Sequence, residues 1–95
     1  MDTTKERRVL ESADDNFLAD VISEINRARR KFPDPSNLTV AFAEEAGEVV
    51  KAVMSEAWSH VYEEAVQAAA MACRLAVEGD PLQREYRAKY AKEDK

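Results

Sequence analysis

Three observations predict an all-α fold. Ala and Glu, both strong helix formers, are abundant. The chain contains only two Gly and three Pro, so it has few obligatory breaks. Its apolar residues recur at helical spacing, and strand-like alternation is nearly absent. With 95 residues there is material for one small domain with a modest core. The expected architecture is a four-helix bundle over residues 14–95, preceded by a polar, flexible N-terminal segment, 1–13.

The first helix is expected to start at Asp14 or Asp15, either of which can cap its free N–H groups. Phe17, Leu18, Val21, Ile22, Ile25 and Ala28 then follow at helical spacing. The run Phe32-Pro33-Asp34-Pro35-Ser36-Asn37 ends it, because proline cannot continue a helix and restricts the residue before it. Ser36 or Asn37 is placed to cap a second helix that carries Leu38, Phe42, Ala46, Val49, Val50 and Val53. A turn is expected within Ser55-Glu56-Ala57-Trp58-Ser59-His60, since Ser favours caps and turns over helix interiors.

A third helix follows from about Ser59 to Glu78, with a stripe of small residues at Ala65, Ala68, Ala69, Ala72 and Ala76. Gly79-Asp80-Pro81 reads as a stop and restart: Gly past the helix end, Asp as cap, Pro at the first position of a fourth helix over about 81–92. Leu10, Trp58, Tyr62, Leu82, Tyr86 and Tyr90 add more apolar surface than a thin four-helix monomer can cover. A homodimer or dimer of dimers is therefore expected.

Composition excludes several roles. A formal net charge of −5 argues against a nucleic-acid groove. The one basic cluster, Arg27-Arg29-Arg30-Lys31, suits a helix C-terminus by the macrodipole, or an approach to an anionic ligand. No apolar run is long enough to span a bilayer. The single cysteine, Cys73, cannot form an internal disulfide and fits a reducing compartment, so the reading is cytoplasmic with Cys73 as a small core residue.

The chemistry concentrates in two pairs, Glu45 with Glu48 and Glu64 with Gln67. Residues three apart share a helix face, roughly 5–6 Å between Cβ atoms. Both cross-pairs share Glu56 as midpoint, so a hairpin folding there brings Glu45 level with Gln67 and Glu48 level with Glu64. One unbroken helix would instead hold Glu48 and Glu64 roughly 24 Å apart. Carboxylates and an amide oxygen facing one another suit Mg²⁺, with Mn²⁺ as an alternative. Acidic pairs are also common on solvated faces. Against that plain reading stand the shared register and the scarcity of other charge in 38–54, where Glu44 and Lys51 are the only additions. Like charges meeting across a helix pair would destabilise the fold unless a cation neutralises them.

Glu-Glu-Ala-Gly-Glu at 44–48 resembles the E-E-x-x-E motif of the MazG-like all-α nucleoside triphosphate pyrophosphohydrolases. Glu64-Ala-Val-Gln67 is similar to their E-x-x-D motif in spacing and departs from it at the last residue. The lead-in Lys31-Phe32-Pro33-Asp34 adds to the likeness, which covers roughly residues 14–80. The resemblance implies a MazG-like bundle whose helical hairpin holds Mg²⁺. It also implies hydrolysis of a (deoxy)nucleoside triphosphate between its α- and β-phosphates, in nucleotide house-cleaning. Glu45, Glu48 and Glu64 would then be catalytic metal ligands, with Glu44 and Gln67 completing the set. Lys31, Asn37, Lys51 and Arg74 are candidate substrate contacts, Lys51 and Arg74 being equally suited to intrahelical ion pairs. Phe17, Phe32 and Asn37 are candidates for a base pocket.

A second reading keeps the fold without catalysis, as a nucleotide- or metal-binding or dimerising module in which Gln67 marks lost chemistry. A third is a plain helical adaptor.

Overall fold

The long periodic run after residue 13 does form a helix, and it starts earlier than its acidic cap candidates suggest. The computed structural model describes residues 3–55 and 57–90, with side chains from residue 12 onward. Helix α1 spans Thr3–Lys31, α2 Leu38–Ser55, α3 Trp58–Glu78 and α4 Pro81–Tyr90. The described residues contain no strand. Because α1 passes through Asp14 and Asp15 without interruption, neither aspartate is a cap, and residue 13 marks no change of secondary structure. The side chain of Leu10, expected in the apolar surface, and residues 91 and 92, expected in the last helix, lie outside what is described.

The hairpin turn falls where the serine cluster places it. Helix α2 ends at Ser55, whose hydroxyl donates to the Lys51 carbonyl at 2.8 Å, the back-bonding that lets Ser terminate a helix. Ala57, in extended conformation, opens α3 through its carbonyl, which accepts from the His60 N–H at 2.9 Å. Gly79 closes α3 with φ at 75°, a left-handed conformation that glycine adopts without Cβ strain, and its N–H donates to Leu75 O.

The α2 N-terminus corrects the expectation of a local side-chain cap. Ser36 uses its N–H on Asp34 Oδ1, 2.9 Å away, and Asn37 takes a positive φ of 71° while its carbonyl accepts from Ala41. The side-chain cap comes from far along the chain: Asp80 Oδ2 accepts from the Thr39 N–H at 2.9 Å. Asp80 Oδ1 accepts from the Leu82 N–H at 3.0 Å. One carboxylate thus caps α2 and α4 together, and these N–H donors hold it below the usual carboxylate range, Leu82 first and Thr39 next. Asp80→Ala is expected to lower the thermal midpoint by about 5 °C. Asp80→Asn, with one acceptor oxygen left, should lose about half of that; a melt unchanged by either substitution would contradict the double cap.

Helix α3 is the hub, packed extensively by α2 and by α1, while α4 makes no extensive packing with another helix. Val21 and Ile25 of α1 meet Val66 and Ala70 of α3, with Phe17, Ala69 and Cys73 against them, so Cys73 is a core-side residue as expected. Each of the three packed helices contributes a fully buried alanine: Ala28, Ala52 and Ala70. Small side chains there allow close helix approach. The predicted stripes are broader than the observed ones. Leu18, Ile22, Val50 and Val53 are all more than half exposed, and Ala72 and Ala76 also face outward. Val61, Val66 and Ala70 do the packing on α3 instead. The radius of gyration is 17.2 Å, against about 12 Å for a compact domain of this length. Among the described residues no helix is long and apolar enough to cross a membrane.

Candidate metal and phosphate site

The α2–α3 hairpin gives Glu45 a place that no other acid among the described residues has. Its position on α2 points it toward the packed side, and its Oε2 is buried with no hydrogen-bond partner. Burial pushes the Glu45 carboxyl above its usual range; Glu64 across the hairpin raises it further by repulsion and hydrogen bonding, followed by Glu48 and Glu24. The hairpin therefore brings Glu45 and Glu64 together. Glu64 is half-buried, and Glu48 and Glu44 are exposed.

Beside Glu45 lies a pocket of about 690 Å³, within the range of small-ligand sites. Glu44, Glu45 and Gln67 line it, as do Lys31 and Asn37. Glu48, Glu64 and Lys51 are not among its lining residues. Phe32 contributes an aromatic wall and Met71 an apolar one, whereas Phe17 sits elsewhere, edge-on to Tyr62 at 5.6 Å between ring centroids. Phe17 thus belongs to the α1–α3 contact and not to a base pocket. Tyr62 also donates to Asp20 at 2.6 Å, which ties the same two helices.

Arg74 reaches the pocket wall from a buried position. Its Nε and Nη2 each donate to Glu78 at 2.8 Å, and its Nη1 lies 3.5 Å from Ala28 O. Glu78 also accepts from Arg29 Nε at 3.0 Å. Of its two roles open from the sequence, Arg74 takes that of ion-pair partner, one turn from Glu78, and it fastens α3 to the end of α1.

Glu24 was not singled out from the sequence, whereas Arg27 was, as part of the basic cluster able to approach an anionic ligand. Glu24 is held by Arg27, whose Nε lies 2.9 Å from Oε2, and this hydrogen bond keeps Glu24 below the usual carboxylate range. Both residues line the pocket. The signal was present: Glu24 stands between Val21 and Ala28 on the inward stripe of α1, where an apolar residue would be ordinary.

The donor set consists of hard oxygens, and an orphaned buried carboxylate oxygen beside a second carboxylate suits a divalent cation. Among the described residues, however, no group of three or more His, Cys, Asp or Glu side chains is gathered closely enough to hold an ion. A cation would have to draw exposed Glu44 or Glu48 inward. The chain matches no protein-family model, and no curated protein or solved structure is significantly similar to it.

Proposed function

We propose that the protein is a Mg²⁺-dependent nucleoside triphosphate pyrophosphohydrolase that acts in nucleotide house-cleaning. The observation that carries this reading is the partnerless, buried Oε2 of Glu45, facing Glu64 beside a nucleotide-sized pocket with basic residues on its wall. The motif resemblance at Glu44–Glu48 and Glu64–Gln67 supports it.

Glu45, Glu48 and Glu64 would hold the ion, with Glu44 and Gln67 as additional oxygen donors. When bound, Mg²⁺ supplies charge neutralisation and polarisation of the phosphoryl oxygens. The remaining work falls to the chain. Arg27 and Lys31 lie where a triphosphate tail would reach them, and Phe32 offers a face for a base. A water oxygen attacks the α-phosphorus, the bond from that phosphorus to the bridging oxygen breaks, and pyrophosphate leaves. A glutamate of the cluster accepts the proton of the water.

The test is incubation with a panel of ribo- and deoxynucleoside triphosphates, with Mg²⁺ or EDTA, followed by product separation. Monophosphate and pyrophosphate are expected, lost with EDTA and reduced by about 10²–10⁴-fold in Glu48→Gln. Two observations favour a second reading, a binding module whose chemistry has lapsed. Gln67 brings no charge, and the carboxylates are not gathered in advance. That reading predicts no turnover in the natural sequence and its appearance in Gln67→Asp.

A further inference from the structure

The outer face of α2 carries a second pattern, independent of the carboxylates. Val40, Ala43, Gly47, Val50 and Met54 follow one another at alternating spacings of three and four, and all five are exposed. Val40 is 52 %, Val50 58 % and Met54 80 % exposed, on the side of the helix away from α3. Gly47 sits in the middle of this helix, where glycine is destabilising relative to alanine. A Cβ there would meet nothing within 4 Å, so no contact inside the chain explains the glycine. We infer that this face docks a second copy of the same chain, α2 against α2, antiparallel about a two-fold axis at Gly47.

Two observations select that occupant. First, the stripe is complementary to itself when reversed. Val40 faces Met54 of the second copy, Ala43 faces Val50, and the two Gly47 residues meet at the crossing, where the absence of side chains lets the backbones come close. Second, the flanking charges match in that register and in no parallel one. Glu44 and Lys51 border the stripe on the same edge, so each Glu44 falls opposite Lys51 of the other copy, giving two symmetric ion pairs.

The interface shares Glu44 with the pocket described above, and its test reads association rather than activity, so the two readings fail separately. The full chain is expected to sediment as a dimer at micromolar concentration. In a Cys73→Ser background, Gly47→Cys is expected to cross-link into a covalent dimer under mild oxidation, while Ser59→Cys does not. Glu44→Lys places like charges opposite one another twice and should weaken the dimer about tenfold. Adding Lys51→Glu to Glu44→Lys should restore it. A monomeric mass for the unmodified chain, cross-linking at 59 as readily as at 47, or a charge swap that fails to restore association would each overturn the proposal.

Discussion

Glu45→Gln is expected to abolish pyrophosphate release while making the metal-free protein more stable. The two effects share one cause. In the fold, Glu45 places a carboxylate oxygen where water cannot reach it, beside Glu64 and without a donor to satisfy it. Replacing it with the neutral amide removes the repulsion and adds a donor that can reach Glu64. A gain of roughly 0.5–2 kcal/mol in unfolding free energy follows, of the size seen when a site built for function is neutralised. Activity should fall by about 10²–10⁴-fold or more, because the proposed site would lose one of its ligands. Denaturant unfolding in EDTA, run beside the nucleotide assay, checks both. A variant that is less stable than the natural protein, or equally active, would contradict the role given to Glu45.

The largest loss of stability is expected at Arg74. It is the one buried charged residue among those described, 1 % exposed, and its guanidinium grips both oxygens of Glu78. Arg74→Ala leaves a cavity and strips Glu78 of its main partner, at a cost of about 3–5 kcal/mol, a large part of the stability of a domain this size. Arg74→Met, which fills the space without a charge, should cost less. The ion pair also sets an acid response. Arg74 first, and Arg29 with it, hold the Glu78 carboxyl at about 2, below its ordinary 4.5. A depressed carboxylate stabilises the fold above its unfolded pKa, and that contribution fades as pH falls from 4.5 toward about 2. Unfolding measured across this window should show the natural protein losing stability and Glu78→Gln losing less. Parallel curves for the two would contradict the assignment.

Helix positions were legible where the signal is local. The Pro-rich stop after Lys31, the Ser55 turn and the Gly79-Asp80-Pro81 restart all act through backbone chemistry within a few residues, and the helices break there. The hairpin turn was legible too, from its serines; the register read from the acid pairs set Glu45 level with Gln67 and Glu48 level with Glu64, whereas the carboxylate that meets Glu45 is Glu64. What stayed hidden depends on contacts between distant segments. No local pattern says that Asp80 caps the helix beginning at Leu38, 42 residues earlier in the chain. Which apolar residues face inward was overestimated, since helical spacing marks an amphipathic stripe without saying whether a partner within the same chain covers it. Leu18, Ile22 and Val50 fit the period and remain exposed. Arg74 could be either a phosphate contact or an ion-pair partner by spacing, and only its burial beside Glu78 and Ala28 decides.

The most direct test of the central claim is calorimetric titration of Mg²⁺ into the metal-free protein and into Glu45→Gln, with a non-hydrolysable nucleoside triphosphate present. The account predicts saturable binding to the natural protein and its loss in the variant. Binding that is undiminished in Glu45→Gln, or absent from the natural protein, would show that the carboxylates of this hairpin do not form a metal site.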